Sequence, residues 1–356
     1  MSSPNAEALS STLNQIVNNI QERVILQSEH DSNAIALWTA GSYLMDQWPR
    51  FPKLLIVSPE RECGKTTALQ TIEPFVFKGL LASSITASAL YRYIEKEKPT
   101  LLIDEADLSL KNNEELKAVI NAGHSKRGAN KIISVPTKSG DWEPKKMSLW
   151  GAQAIAGIGE FDDTLESRSI KIGLRRKGEN ENVTEIDDTY FDAQSTMRGW
   201  LASWSSNVAK QNLLIEPIMP GEIGNRRRDN WKPLFQIAQL AGEEWIKKGF
   251  AALEELELKR KSNTAVSQSN ELLADLRHIL SDYTGPEISS SELLKKLLRQ
   301  NESEWDRANH GRAITSKWLL KQLRPYGITA HRRNQFNAYM LADLQDAFDR
   351  YLPPLP

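Results

Sequence analysis

The 356-residue sequence predicts an α/β protein with a mostly parallel sheet, preceded by helices and followed by a helical segment and a small winged-helix-like piece. Three observations predict it. Between Lys53 and about Arg176, short runs of Leu, Ile and Val alternate with helix-like segments, as strands and crossover helices do in a parallel sheet. The apolar run 54–57 leads into Ser58-Pro59-Glu60-Arg61-Glu62-Cys63-Gly64-Lys65-Thr66-Thr67 and then the helix-like run 68–72. Strand, turn, Gly-Lys-Thr, helix is the context a phosphate-binding loop needs. Roughly 40 residues further on, Leu101-Leu102-Ile103 ends in Asp104-Glu105, a buried strand delivering two carboxylates to one end of the sheet.

The elements follow in order. Leu13, Ile16, Val17, Ile20, Val24 and Ile25 recur at helical spacing, a second apolar segment runs from Ala34 to Met45, and Pro49 to Pro52 end it. The strand candidates are 54–57, 100–103, 131–135, 153–158 and 169–174, with helices at 87–95 and 114–122 between them. The polar, acidic stretch 177–188 reads as an exposed loop. Residues 190–211 and 229–260 read as mostly helical, and Lys261-Ser262-Asn263-Thr264 with Ser267-Gln268-Ser269 as a linker. Helices at 271–283, 289–298 and 315–323 and β-like pieces at 328–331 and 337–341 suggest a winged helix-turn-helix. The expected division is 1–50, an N-terminal helical segment; 51–176, the ATPase core; 177–262, a helical lid; and 270–352, a winged-helix-like domain.

Composition bounds the function. With 45 basic and 46 acidic residues there is no uniformly basic coat. Cys63 is the only cysteine, so no internal disulfide and no cysteine metal cluster can form. The start, Met1-Ser2-Ser3-Pro4-Asn5, lacks a basic segment followed by an apolar core, and no stretch approaches the roughly 18 apolar residues of a membrane span. A cytoplasmic protein with no membrane partner is expected. His124, His310 and His331 lack the spacing of zinc ligands.

The phosphate loop is a variant, because Pro59 stands where the full pattern has its first glycine. Gly64 lets the backbone approach phosphate, Lys65 neutralises the β- and γ-phosphates, and the Thr66 hydroxyl is a ligand for Mg²⁺. Pro59, Glu60, Glu62, Cys63 and Thr67 complete the expected ATP-binding set, with Cys63 read as a small packed residue rather than a reactive thiol. Asp104 is the expected carboxylate on the Mg²⁺ side and Glu105 the base for the attacking water. Asp107 reads as solvated or as a helix cap.

These residues resemble a family of phage, plasmid and mobile-element ATPases with a Ser-Pro-Glu-x-x-Cys-Gly-Lys-Thr-Thr signature. Ala36-Leu37-Trp38, Pro99 through Asp107, Asn121-Ala122-Gly123-His124, Ala154 through Gly159, Asp163 through Ile170 and Asn230-Trp231-Lys232-Pro233-Leu234 extend the resemblance. It implies an AAA+-like core similar to replicative helicases, working as a homo-oligomer, a hexameric ring, on DNA with ATP and Mg²⁺. It implies an arginine finger at Arg168, against the plainer reading of a surface arginine paired with Asp163 or Glu166. One of Arg226, Arg227 and Arg228, with Arg227 or Arg228 preferred, is a candidate lid sensor; the alternative is that the three bind DNA. The polar sensor that such motors place on the strand 153–158 has only Gln153 as a candidate, early in the strand. Relatives often carry a primase domain, and none fits here.

Ser139-Gly140-Asp141 reads as a turn between β-like arms, at a position resembling a helicase pore hairpin. Lys138 near the tip is a candidate phosphate contact; Trp142 either stacks on a base or, the preferred reading, packs in the core. Lys295, Lys296, Arg299, Arg307, Arg312, Lys317, Lys321, Arg324, Arg332 and Arg333 make the last region locally basic, a DNA face or a solvated one. The leading expectation is a DNA motor of a phage or mobile element. The rivals are an ATP-gated DNA-binding regulator, a phosphotransferase and a defence-system ATPase.

Overall fold

The computed structural model describes residues 4–82, 85–111, 113–178, 180–220, 223–262, 268–299, 304–306, 308–309, 312–333 and 336–352. They fall into two compact units, Met1–Lys259 and Arg260–Pro356. The central part of the expected linker (263–267), Arg307 and His310 lie outside the described residues.

Two helices open the first unit, α1 (Pro4–Arg23) and α2 (Glu29–Gly41). Leu9, Leu13, Ile16, Val17 and Ile20 form the buried stripe of α1. Ser28 starts α2 with a capping box: its hydroxyl accepts from the His30 N–H, and the Asp31 carboxylate accepts from the Ser28 N–H, both at 3.1 Å. Nearly all of α2 is buried, and the Trp38 indole donates to the Pro52 carbonyl at 2.8 Å, satisfying its polar atom on the way into the sheet.

The chain then runs β1 (Lys53–Ser58), α3 (Lys65–Ile72), β2 (Gly79–Ala82), α4 (Ala87–Glu97), β3 (Thr100–Ile103), α5 (Ala106–Leu110), α6 (Glu114–Ala122), β4 (Asn130–Pro136), β5 (Trp142–Ser148), β6 (Gln153–Ile158), α7 (Asp163–Glu166) and β7 (Ser169–Gly173). Five strands form one parallel sheet in the order β2-β3-β6-β1-β7. Leu54 lies opposite Ala154 and Ile170, and Leu102 opposite Ala154, so β1, β3 and β6 end along one edge. The central strands are buried on both faces, which is why they read as unbroken apolar runs.

The strand expected at 131–135 belongs elsewhere. β4 pairs with β5 as an antiparallel hairpin, with Pro136 opposite Trp142. Its residues alternate between half-buried and exposed, a pattern suited to one covered face and not to the interior of a parallel sheet. The short edge strand β2 has no periodic signature.

Four helices complete this unit: α8 (Asp188–Ala193), α9 (Ser195–Gln211), α10 (Asn225–Ala241) and α11 (Glu243–Ser262), the last running a few residues past its boundary. α10 packs on α1 and α2, and the Trp48 indole donates to Gln236 at 2.7 Å. One hydrophobic cluster runs from Leu9 to Leu256, so the expected N-terminal segment, core and helical region share a single interior.

The second unit holds α12 (Gln268–Ile279), β8 (Glu287–Ser289), α13 (Ser290–Leu298), α14 (Ser316–Leu323), β9 (His331–Arg333), β10 (Phe336–Met340) and α15 (Leu341–Tyr351). The three strands form an antiparallel sheet in the order β8-β10-β9, and α12 begins inside the stretch expected to be linker. Leu272, Leu276, Leu293, Leu319, Tyr339 and Phe348 anchor its own core.

Candidate functional site

β1 ends at Ser58, and the loop from Pro59 to Gly64 carries the chain to the first turn of α3. Gly64 has φ +83°, and a Cβ there would touch nothing within 4 Å, so the demand for glycine is conformational. Glu62, with φ 61°, shares that left-handed region. Pro59, Glu60, Arg61 and Glu62 are exposed, whereas Cys63 is buried with its thiol facing the Arg61 carbonyl at 3.5 Å, as a small packed residue would be.

The polar residues of the loop are held in place. Lys65 Nζ donates to Ser58 Oγ at 2.9 Å and to the Glu60 carbonyl at 3.2 Å. Thr66 Oγ1 donates to Asp104 Oδ2 at 2.6 Å, joining the start of α3 to the end of β3. Asp104 is buried, and its other oxygen accepts from the Glu105 N–H at 2.9 Å. Glu105 is exposed with φ 50°, a conformation uncommon for a non-glycine residue, which lifts its carboxylate clear of the strand.

Asp107 is neither solvated nor a helix cap. It is half-buried and accepts from the Ile158 N–H at 3.1 Å, fastening the acidic turn to the end of β6. Gly157 makes this approach possible: a Cβ there would lie 2.4 Å from Phe161 and 3.0 Å from Asp107 Oδ1. Nothing local in the sequence marks this contact, because it joins two crossovers.

Lys65, Thr66, Asp104, Glu105, Arg61 and Ile158 line a cleft of about 430 Å³. Glu62, Cys63, Gly64 and Thr67 also wall a second cleft of about 530 Å³ on the loop's other side, which adds Arg23, Ile25, Arg175 and Ile186. The loop therefore contributes to both clefts, one holding the carboxylates Asp104, Glu105 and Asp107 and the other adding Ile25, Val183 and Ile186.

Other expected residues lie at the far edge of the sheet. Gln153 opens β6 opposite Leu101, buried, with a Cβ at Gly123 only 2.6 Å from its Nε2. It stands at the end of its strand away from the loop, as its early place in the sequence suggests. Arg168 precedes β7 and donates to the Asn121 carbonyl at 3.2 Å. Arg226 donates to Ser167 Oγ at 2.9 Å, Arg227 pairs with Glu257 at 3.2 Å, and Arg228 donates to the Pro220 carbonyl at 3.1 Å. Arg227 and Arg228 are thus not brought to their own chain's loop; the start of α10 sits against the residues before β7, so the lid-sensor expectation for this pair is corrected.

That edge holds a third cleft, about 480 Å³, lined by Arg50, Asn121, His124, Arg168, Arg226 and Asp229 among others. Lys53 is buried beneath with no partner for its Nζ, and burial, then the Arg168 charge, pushes its pKa down to about 7. Burial first, then the Lys53 and Arg168 charges, push His124 down to about 3, so it is a neutral ring whose Nδ1 lies 3.2 Å from the Phe51 carbonyl.

On the hairpin, Trp142 is 70% exposed, correcting the core-packing expectation. Ile132 and Lys146, Ser134 and Pro144, Pro136 and Trp142 are opposite pairs and so share one face, while Lys138 is exposed in the turn. In the second unit, Lys317, Leu320, Lys321 and Arg324 are exposed on and after α14, whereas His331 and Arg333 are engaged by Glu287. Among the described residues no cluster of three or more His, Cys, Asp or Glu could hold a metal, and no helix is long and apolar enough to cross a membrane.

Residues 173–351 match the family described as Protein of unknown function (DUF3631). An uncharacterized 28.9 kDa protein in the xis 5′ region of Saccharopolyspora erythraea is 30% identical over 186 residues, 51% of this chain and 65% of that relative, just under two thirds of its length. Among solved structures, the chain is similar to an active helicase, the SCCmec type IV Cch, at 13% identity and a TM-score of 0.48, over 97% of this chain and 75% of that one. The apo C-terminal region of NrS-1 gives 11% identity and a TM-score of 0.37, over 96% and 78%.

Proposed function

This chain belongs to the DUF3631 family, proteins of unknown function, and for it we propose ATP-driven work on DNA, carried out by a homo-oligomer for a phage or other mobile element. The observation that carries the reading is the 2.6 Å bond between Thr66 and Asp104 at the same sheet edge as Lys65 and Glu105. A hydroxyl and one buried carboxylate side by side are the protein ligands Mg²⁺ uses when phosphates supply the rest, and the lysine one residue before the hydroxyl is placed to neutralise those phosphates.

In this reading Lys65 exchanges its bonds to Ser58 and Glu60 for phosphate oxygens. Thr66 Oγ1 and the Asp104 carboxylate would hold Mg²⁺, which would neutralise phosphate charge. Glu105, exposed at the cleft, accepts the proton of the attacking water. The apolar wall of the adjoining cleft, Ile25 and Ile186, receives the base. Arg168 projects away from its own loop and acts on the next copy's phosphates as an arginine finger. Trp142 and Lys138 offer a stacking surface and a cation to single-stranded DNA. The order helix, strand, helix, helix, strand, strand in the second unit is that of a winged helix, and its exposed Lys317 and Lys321 suit a DNA backbone. The naming of the Saccharopolyspora relative by a xis 5′ region is in keeping with a mobile element.

A second reading, an ATP-gated DNA-binding regulator, is favoured by Gln153 standing at the far end of β6, which leaves that strand no polar sensor. Steady-state ATP hydrolysis with and without single-stranded DNA separates the two. The motor predicts DNA-stimulated turnover that falls about a hundredfold or more in Glu105→Gln while ATP binding persists. ATP binding with no turnover under either condition would sink the motor and promote the regulator.

A further inference from the structure

The cleft at the sheet's far edge carries a charge imbalance. Arg50, Arg168 and Arg226 line it against the single carboxylate Asp229, which is already paired with Arg50 at 2.7 Å. Among the described residues neither Arg168 nor Arg226 has a carboxylate in ion-pair contact; each is held by an uncharged oxygen, of Asn121 and of Ser167. Desolvation, then the Arg226 charge, depresses the Arg168 pKa, with Asp162 opposing. The unpartnered Lys53 amine lies beneath and carries charge there only as pH falls through about 7. Two guanidiniums lining one cleft, neither in ion-pair contact with a carboxylate among the described residues, suit an anion with several oxygens.

That anion cannot be the phosphate at the same chain's loop. β1 runs from the cleft edge at Lys53 to the loop edge at Ser58, a rise of roughly 3.3 Å per residue that outreaches an arginine side chain. The loop cleft is the electrostatic complement: Asp104, Glu105 and Asp107 lie with Lys65 and Arg61 where phosphates would sit. Two complementary patches on opposite edges of one molecule suit a head-to-tail contact between identical copies.

We propose that Arg226 is a second catalytic cation supplied in trans: together with Arg168 it contacts the phosphates held at the loop of a neighbouring copy. The proposal rests on the ATPase reading. Arg226 differs from Arg168 in where it is anchored, since it rides on the first turn of α10 and bridges to Ser167. Its position therefore couples the helical region to the strand-edge arginine, and both must align for the neighbour's site to be complete.

Mixing two variants tests it. Arg226→Gln protein and Lys65→Ala protein are each expected to hydrolyse ATP at least about tenfold more slowly than wild type. Mixed and allowed to exchange subunits, they are expected to exceed either alone severalfold, because a Lys65→Ala copy lends its Arg226 to the intact loop of an Arg226→Gln copy. If mixing restores nothing although both variants assemble, Arg226 acts within its own chain and the proposal falls. Arg226→Lys, which keeps the charge and can keep the Ser167 bond, is expected to lose rate as well, and guards against a folding defect in the glutamine variant. Wild-type hydrolysis by Arg226→Gln overturns the proposal and leaves the ATPase reading standing; no hydrolysis by the wild-type protein overturns both. Full DNA-independent hydrolysis with weakened single-stranded DNA binding also overturns it, and assigns the cleft to nucleic acid.

Discussion

Two buried basic residues at the cleft edge set a pH dependence of opposite location and equal sign. Lys53 is ordinarily protonated below about 10.5 but folds with a pKa of about 7, so between those values the unfolded chain binds the extra proton and stability rises with pH. His124 falls from 6.5 to about 3, so stability is lost as pH drops through that window. Lys53→Met is expected to raise stability at pH 7 by about 1–3 kcal/mol, and its advantage is expected to shrink towards pH 10 as the wild-type lysine loses its proton in the unfolded chain too. Denaturant unfolding of both proteins across that range checks it; an advantage independent of pH would mean the amine is not the source. At this scale the sequence was legible where chemistry is local. Gly64, Lys65, Thr66, Asp104 and Glu105 lie in two short stretches, and they meet in one cleft. Asp107 was not readable because its partner, the Ile158 N–H, lies some fifty residues away across two crossovers.

Among the elements, β4–β5 forms the hairpin its turn residues suggest, but β4 stands outside the parallel sheet and Trp142 outside the core. An exposed Trp142 facing the same way as Ile132 and Lys146 is an unusual outward surface for so short a two-stranded ribbon. Trp142→Ala is expected to change stability by no more than about 0.5 kcal/mol, because the ring is mostly in water already. The same substitution combined with Lys138→Ala is expected to weaken single-stranded DNA binding by about 1–3 kcal/mol, read by fluorescence anisotropy. Loss of folding in Trp142→Ala, or unchanged DNA affinity in the pair, would count against the hairpin as a contact. The strands β1, β3 and β6 were readable because burial on both faces leaves an apolar run, and the edge strand β7 through the alternating Ile170 and Ile172, whereas β2 and β8 are only 4 and 3 residues long and take their pairing from neighbours. Sheet order was not readable at all, since it depends on where each crossover lands.

For the molecule as a whole, the match to residues 173–351 and the folded units do not coincide. That stretch begins at the end of β7 and takes in α9, α10 and α11, whose buried faces complete the same interior as Leu9, Trp38 and Leu54. Residues 173–351 expressed alone are therefore expected to expose apolar surface and bind a hydrophobic dye strongly, while 1–259 is expected to unfold cooperatively; a well-folded 173–351 piece would show that the shared interior is dispensable. The consequence reaches beyond one chain. Segments recognisable by common descent need not be the segments that can be exchanged. Recombination between relatives at 173 would marry helices to a sheet they were not shaped against, whereas a crossover near 260 leaves each interior with its own lineage.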